Sequence, residues 1–429
     1  MKRLDRVIKI LVKHKVEELI NKKLPSPEKL RKIVEELGGT YVQLALYLSR
    51  RPDILPYKYL KELAKAKENI TYTNTKFKGI EVKKPIKSNS ITQLNKAKVK
   101  RHDALLVTKR LDESLVEEDI DIIENFLKKD PYIIRLLNEF KIYIKSQSNP
   151  EYRTHRLDEL RYEFIEVKTP SIYKANEEKA IIEELKGNNL KKANNKQKLQ
   201  VTNLYLKQML ITGKLVVTDF EDILVNGEIK IKDSVELIEI QHKKQLLKIL
   251  LSLERENWEE TCSLTAELFE EESTAFREYI EPAKNKEFSK LFNQAFKYKR
   301  QKPYIDKELG YVAYMIKQLE ELNQEPLYKT ASSFLKEIKE RTKKSDKILY
   351  HTYTKHDYKI DKLDKIEEQK QKENKNHIKF EEGILILTLI ILIVIINALA
   401  QLQSDGLDSF IYTSSAFVLL LSSYFFFKN

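Results

Sequence analysis

The chain has 429 residues, of which 41% are hydrophobic and 33% charged, and this length allows two or three domains with a substantial core. Its single cysteine, Cys262, excludes an intramolecular disulfide and any multi-cysteine metal site. The net charge of +13 would attract polyanions, but no zinc-finger, basic-zipper or aromatic RNA-binding pattern is present, so we expect no nucleic-acid partner.

The first 71 residues are predicted to be helical. Apolar residues recur at helical spacing in "LRKIVEEL", residues 30–37, and a second apolar run follows Gly38-Gly39. Pro52 and Pro56 end this second helix, and another helix is expected directly after them. We therefore interpret residues 1–71 as an N-terminal helical extension.

From residue 72 the pattern changes to short alternating segments separated by polar turns, which is typical of strands. Three such segments are expected between residues 72 and 110, helices over 115–147, and a strand–turn–strand unit before residue 187. Residues 188–350 begin with a helix and further short strands, and they are predicted to be helical from residue 241. Asn226-Gly227 is typical of a hairpin turn.

The last fifty residues predict a membrane anchor. "GILILTLIILIVIINALA", Gly383 to Ala400, is uncharged and would span roughly 27 Å as a helix, close to a hydrocarbon core of about 30 Å. A second uncharged stretch covers Ser409 to Phe427, and lysines flank the pair. We predict a transmembrane hairpin over 383–427 with both flanks cytoplasmic, preceded by a charged juxtamembrane segment over 351–382. Two buried core helices are the alternative.

One stretch of the helical extension carries a family resemblance. "LGGTYVQLALYLSRRPDILPYKYLKEL", residues 37–63, resembles the helical signature of the AarF/UbiB family of atypical protein-kinase-like proteins. That signature reads approximately L-G-P-x-[FW]-I-K-x-G-Q-x-L-S-x-R-x-D-[IL]-[LF]-P. The matching residues are Leu37, Gly38, Tyr41, Val42, Leu48, Ser49, Arg51, Asp53, Ile54, Leu55 and Pro56.

Two further blocks are similar to the same family. "PIKSNSITQLNKAKV", residues 85–99, resembles its alanine-rich nucleotide loop, with matches at Pro85, Ile86, Ser90, Ile91, Gln93 and Ala97. "TPSIYKANEEKAIIEELKGNNL", residues 169–190, resembles its segment between the lobes, with Glu183 and Gly187 at the hinge. The resemblance covers nearly the whole chain.

The resemblance implies a fold. We expect an α+β, protein-kinase-like, two-lobed fold with an N-terminal helical extension, a mainly helical C-lobe and a C-terminal transmembrane helical hairpin. The N-lobe with inserted helices would cover residues 72–187, and the C-lobe would cover 188–350.

The resemblance also implies a nucleotide site. Its candidate residues are Ser90 and Gln93 in the loop, Lys109 beside the aligned position of the family's strand lysine, and Glu183 at the hinge. The cofactors implied are ATP or ADP with Mg²⁺, and the candidate metal ligand is Asp233, which aligns with the family's metal-binding aspartate.

The catalytic residues are largely replaced. Phosphoryl transfer needs a lysine on the phosphates, groups that hold magnesium and a residue that orients the acceptor. In "GKLVVTDFEDILVNGEIKIKDSV", residues 213–235, the family's histidines and its magnesium-binding asparagine are missing. The catalytic candidates are Asp219, with a one-residue shift, and Asp233, while Asp222 could supply an alternative carboxylate.

Two further elements of the family, an acidic helix and a regulatory motif, are replaced as well. Its acidic helix reads "NPEYRTH" here, residues 149–155, where Arg153 is retained and Pro150 argues against an unbroken helix. Its K-x-G-Q motif has become Gln43-Leu44-Ala45-Leu46. The pattern is typical of a pseudokinase, in which a scaffold remains while catalytic residues are replaced.

The resemblance implies a role in a lipid pathway. The first hypothesis is a membrane-anchored, UbiB-like pseudokinase that is an accessory or regulatory factor in ubiquinone or other isoprenoid-quinone biosynthesis, without phosphoryl transfer. One alternative is a residual ATPase or a small-molecule or lipid kinase that uses Lys109, Asp219 and Asp233. Another is a membrane scaffold that binds no nucleotide. The partners expected are membrane lipid, quinone precursors, quinone-biosynthesis enzymes and a second copy of the chain, at a bacterial inner membrane with the remainder cytoplasmic.

Overall fold

The structure is a computed structural model, and it describes most of the chain up to residue 330. The described residues are 3–14, 25–68, 70–73, 80–126, 131–163, 166–233, 236–269, 288–299, 307–323, 327 and 330.

Four helices form the N-terminal part. They are α1 (Arg3–Lys13), α2 (Pro27–Leu37), α3 (Gly39–Leu48) and α4 (Tyr57–Leu63). Ser26 caps α2 by accepting a hydrogen bond from the Lys29 amide, and Pro27 occupies the first turn, where no backbone donor is needed. The chain turns between α2 and α3 at Gly38, whose φ of 69° is costly for any other residue. The described residues before residue 64 are therefore mainly helical.

A five-stranded antiparallel sheet follows. Its strands are β1 (Glu81–Ser88), β2 (Thr92–Val99), β3 (His102–Lys109), β5 (Ile172–Asn176) and β6 (Lys179–Glu183). They lie in the order β1-β2-β3-β6-β5. Three helices are inserted between β3 and β5, namely α5 (Glu113–Phe126), α6 (Pro131–Ser148) and α7 (Pro150–Glu163). The helix breaks at Asn149, as the proline at position 150 predicts, and α7 packs on the sheet.

Short strands and a helical region make up the remainder. The strands are β4 (Val167–Lys168), β7 (Asn188–Asn189), β8 (Lys214–Val217), β9 (Ile223–Asn226), β10 (Glu228–Ile231) and β11 (Glu236–Glu239). The helices are α8 (Asn195–Lys207), α9 (Lys243–Glu254), α10 (Trp258–Phe269), α11 (Phe288–Lys299) and α12 (Lys307–Leu322). Gly227, with φ of 77°, joins β9 to β10 in the hairpin that Asn226-Gly227 predicts.

The largest hydrophobic core lies among α8 to α12 and the short strands beside them. Cys262 is buried in this core. A second cluster joins the N-terminal part to the sheet, because Tyr47 of α3 packs with Ile91, Ile120 and Phe140. Ile91 lies in the turn between β1 and β2, so this turn is anchored to the helices beneath it.

The predicted fold class, an α+β kinase-like fold completed by a C-terminal transmembrane hairpin, is wrong. The fold of the described residues is mixed α/β, and none of the helices described is long and apolar enough to cross a bilayer. The longest of them, α6, has 18 residues and carries charged side chains such as Glu139 and Lys145. The residues assigned to the hairpin, 383–427, and to the juxtamembrane segment, 351–382, lie outside the described residues.

Candidate functional site

A cleft lies between the five-stranded sheet and the segment 222–233. The sheet contributes apolar residues and Lys87, α7 contributes Arg153, and the segment 222–233 contributes the other charged groups. The lining residues are Lys87, Thr92, Leu94, Leu105, Val107, Pro150, Arg153, Thr154, Leu157, Ala180, Ile182, Asp222, Lys232 and Asp233. The volume of the cleft is about 120 Å³, well below the roughly 300–1,000 Å³ of ordinary ligand pockets.

Asp219 lies next to the cleft and is held by an arginine of the N-terminal part. Arg50 donates to both carboxylate oxygens, from Nη2 at 2.7 Å and from Nε at 3.2 Å. Burial by itself would raise the pKa of Asp219, but the guanidinium of Arg50 outweighs it and holds the pKa below its usual value. Arg50 also donates to the Tyr143 hydroxyl, so its other edge is engaged too.

Asp233 is held by a second arginine. Arg153, one turn into α7, forms a short ion pair with Asp233 across the cleft. Both carboxylates proposed as catalytic are therefore neutralised by guanidinium groups from helices or loops far away in the sequence.

Asp222 is the remaining carboxylate of the cleft. Burial raises its pKa, and the negative charge of Asp233 nearby raises it further. Lys232 lies 3.3 Å away and partly offsets this repulsion. No group of three or more His, Cys, Asp or Glu side chains that could hold a metal ion occurs among the described residues.

The turn between β1 and β2 contains the predicted nucleotide-binding residue Ser90. Each backbone amide of this turn already has an acceptor within the chain. The Asn89 amide donates to the Thr92 carbonyl at 3.0 Å, and the amides of Ile91 and Thr92 donate to the Asn89 side chain at 3.1 and 2.7 Å. The Ser90 amide donates to the Glu68 carboxylate, and the Ser90 hydroxyl donates to the same carboxylate at 2.8 Å. Phosphate-binding loops work by offering such amides to the ligand, and here they are occupied.

The remaining predicted residues also have partners inside the chain. Gln93 is fully buried, and its amide group bonds both the backbone and the hydroxyl of Thr73. Lys109 ends β3 and donates to Glu113 at 2.8 Å. Glu183 accepts from the Ser171 amide at 3.1 Å. The structure therefore brings Asp233 into the cleft and places Asp219 and Ser90 near its edges, but it does not gather Gln93, Lys109 and Glu183 around it.

These residues do not fit a magnesium–nucleotide complex in the observed arrangement. A metal ion at Asp219 and Asp233 would have to displace two arginines, and a phosphate at Ser90 would have to displace a carboxylate. The metal ion would have to compete with the positive charges of Arg50 and Arg153, and the phosphate would have to break the charge-assisted hydrogen bonds from Ser90 to Glu68.

The doubly basic loop that begins at Arg50 connects the N-terminal part to the rest of the fold. Arg51 is fully buried and donates to Asp53 from Nη2 at 2.7 Å and from Nε at 3.0 Å. It also donates to the Tyr47 hydroxyl at 2.7 Å and to Glu139 of α6 at 3.2 Å. Asp53 lies against Gly310 of α12. The loop therefore joins α3 and α6 through one charge network centred on the buried Arg51, and it packs against α12 at Gly310.

Three residues of the site have roles that sequence reasoning missed: Arg50, Arg153 and Glu68. Arg50 falls at a variable position of the signature, and Glu68 lies in no motif. Arg153 was noted as retained, but its pairing with Asp233 crosses 80 residues of sequence. No pattern of neighbouring residues predicts such a contact.

Comparisons with known proteins give short or distant similarities, and no family model matches the chain. An uncharacterized protein from the hydrogenase 1 5′ region of Clostridium pasteurianum is 41% identical over 76 residues, which are 17% of this chain and 14% of that protein. Uncharacterized protein slr0889 of Synechocystis sp. is 28% identical over 153 residues, which are 29% of this chain and 37% of that protein. The chain thus spans well under half the length of either relative.

Among solved structures, Mycobacterium tuberculosis Rv3197 in complex with erythromycin matches with a TM-score of 0.38. The identity is 11%, and the match covers 59% of this chain and 77% of that one. At this level the similarity supports no conclusion about the fold or the ligand of the present chain.

Proposed function

We propose that the chain is a UbiB-like pseudokinase that acts as an accessory factor in isoprenoid-quinone biosynthesis and transfers no phosphoryl group. The observation behind the second half of this proposal is the pairing of Asp219 with Arg50 and of Asp233 with Arg153. A phosphoryl-transfer site needs free carboxylates or amides for magnesium, and these two carboxylates already have cationic partners.

The free energy favours the pairing of Asp219 with Arg50 over the binding of magnesium by Asp219. The Arg50 side chain is only 10% exposed. Removing Asp219 from it would leave the guanidinium with the Leu46 carbonyl and the Tyr143 hydroxyl as acceptors. The expected cost is about 1–3 kcal/mol, because Asp219 itself is 40% exposed and solvent screens the pair. Magnesium would have to supply this free energy before it stabilised any reaction. A protein–protein or protein–lipid role needs no such exchange.

Enzyme assays test the absence of phosphoryl transfer. Purified protein is incubated with ATP and Mg²⁺, and phosphate release is measured beside a thermal-shift titration. We expect no turnover above that of a matched Asp219→Asn, Asp233→Asn double variant. Turnover in the natural protein that disappears in Asp233→Ala would contradict the proposal.

The role in quinone biosynthesis is supported by the signature of residues 37–56 and is tested in the cell. Deletion of the gene is expected to lower the quinone content or to accumulate a prenylated precursor. An Asp233→Asn allele that accumulates to the natural protein level should restore the quinone level, because the proposed role does not use that carboxylate catalytically. Unchanged quinone and precursor levels in the deletion strain would remove this half of the proposal. The inner-membrane location stays a prediction.

A residual ATPase or small-molecule kinase is the second candidate. It is favoured by one feature, the placement of Asp222 and Asp233 in the same cleft as Lys87 and Lys232. If Arg153 moved away, these two carboxylates could face a cation together. Mg²⁺-dependent nucleotide binding that is tighter in Arg153→Ala than in the natural protein would favour this candidate.

A further inference from the structure

Glu68 occupies the turn between β1 and β2 in the way a bound anion would. Its two carboxylate oxygens accept from the Ser90 amide, from the Ser90 hydroxyl at 2.8 Å and from Nε2 of Gln43 at 2.7 Å. The positive charge of Arg110 also acts on it. A backbone amide, a hydroxyl and a side-chain amide are donors from which proteins build oxyanion sites, and a nearby positive charge favours the anion.

The shape of this turn does not depend on Glu68. The Asn89 side chain accepts from the amides of Ile91 and Thr92, and the Asn89 amide closes the turn onto the Thr92 carbonyl. Such side-chain-to-backbone bonds stabilise a turn by themselves. Ile91, which is 6% exposed, anchors it in the apolar cluster around Tyr47. Without Glu68, the turn would keep its shape and present the Ser90 amide to an incoming ligand.

The carboxylate of Glu68 loses more hydration free energy on burial than its hydrogen bonds restore, so a ligand can displace it more easily. Burial raises the pKa of Glu68 even though Gln43 and Ser90 donate to it, so the hydrogen bonds do not fully replace the lost hydration. A carboxylate in this condition competes less well for its donors than a fully compensated ion pair does.

The turn also borders the cleft. Lys87 comes just before it and Thr92 ends it, and both line the cleft. An oxyanion bound at Ser90 would therefore sit at the end of a ligand lying in the cleft. Through Gln43, the same carboxylate links the turn to α3, the helix that leads into Arg50 and Arg51.

We propose that Glu68 is an internal occupant of an oxyanion site at the turn of residues 89–92, and that it must leave before a phosphate-bearing ligand can bind there. Its departure also releases Gln43, so occupancy of the site is coupled to the position of α3. The inference rests on the proposed function only in treating this turn as the counterpart of a nucleotide loop. It adds a built-in competitor and names the ligand class as phosphate esters or diphosphates.

Calorimetric titration with pyrophosphate and with ADP, at constant ionic strength, tests this proposal. The proteins are the natural chain, Glu68→Ala, Glu68→Gln and the control Glu81→Gln, which removes an exposed carboxylate from β1. We expect Glu68→Ala to bind pyrophosphate roughly tenfold more tightly than the natural chain or the control, the effect of about one gained charge-assisted hydrogen bond. Adding Ser90→Ala to Glu68→Ala removes one donor and should cancel most of the gain.

Each outcome decides the proposal. Equal affinity in folded Glu68→Ala and in Glu81→Gln overturns it. If Glu68→Ala does not fold by circular dichroism, Glu68→Gln, which keeps the size of the side chain, should still bind pyrophosphate about threefold more tightly, because the competing charge is gone. If neither variant folds, Glu68 is a structural tether and the proposal fails. ATP turnover by the natural chain would contradict the proposed function while leaving this competition intact.

Discussion

Gly310→Ala is expected to destabilise the protein, although alanine is the better helix former. A Cβ atom at position 310 would lie 2.2 Å from Oδ1 and 2.6 Å from Cγ of Asp53. Asp53 cannot move aside cheaply, because it holds the fully buried Arg51 through hydrogen bonds of 2.7 and 3.0 Å. Either this ion pair breaks or α12 moves away from the loop.

The expected magnitude follows from two opposing effects. Replacing glycine by alanine within a helix gains about 1 kcal/mol of helix propensity. Disrupting a buried ion pair costs about 3–5 kcal/mol. The free energy of unfolding should therefore fall by about 2–4 kcal/mol in Gly310→Ala.

Urea unfolding followed by circular dichroism measures this change, and a double-mutant cycle with Asp53→Ala isolates its cause. In the Asp53→Ala background the clash is absent, so Gly310→Ala should be neutral or stabilising by up to about 1 kcal/mol. A Gly310→Ala protein as stable as the natural chain, or an equal loss in both backgrounds, would refute the reasoning.

Three further predictions concern buried polar groups. Burial raises the pKa of Glu320 to about 7. The folded protein therefore prefers the protonated carboxyl, and the stability this gives at low pH is lost as the pH rises through about 7 and the carboxyl ionises. In Glu320→Gln the side-chain oxygen can still accept from the Ser289 amide, and the side-chain NH2 can donate to the Ser289 hydroxyl. This variant should therefore abolish a loss of up to about 3 kcal/mol between pH 5 and 8; the same slope in both proteins by urea unfolding would contradict this. Arg51→Lys should lose about 2–4 kcal/mol of unfolding free energy, because one ammonium cannot replace the planar fork on Asp53; a loss below about 0.5 kcal/mol would count against the network. Cys262, at 3% exposure, should react with a thiol reagent at least about 100-fold more slowly in native than in urea-unfolded protein, and rapid native labelling would show that the packing of α10 is wrong.

Local sequence signals account for much of the described fold. The alternating segments after residue 72 form β1, β2 and β3, and Asn226-Gly227 forms the hairpin between β9 and β10. Pro150 separates α6 from α7. These features depend on neighbouring residues, whose periodicity, turn geometry and missing amide donors can be read directly from the sequence.

The charge pairing of the site depends on contacts that no local pattern contains. Arg50 and Asp219 are 169 residues apart, and the choice of partner depends on how the N-terminal part packs against the helical region. Hydropathy alone predicted membrane insertion of residues 383–427, and charge predicted a juxtamembrane segment over 351–382. Both ranges lie outside the described residues, so these two predictions stay predictions. Sequence patterns gave the candidate carboxylates but not the cations that hold them.

Arginine side chains in the place of a magnesium ion give a physical reason why carboxylates can remain where catalysis is not expected. The negative charges of Asp233 and Asp219 both act on the carboxylate of Asp222, and such repulsion favours a cation beside each of these carboxylates. Magnesium would supply that cation in a phosphoryl-transfer site, whereas here Arg50 and Arg153 supply it from within the chain. The aspartates then serve to dock the N-terminal part and α7 onto the rest of the fold. A change that removes one arginine leaves its carboxylate poorly compensated, so the same pairs that close the site also hold the two parts of the protein together.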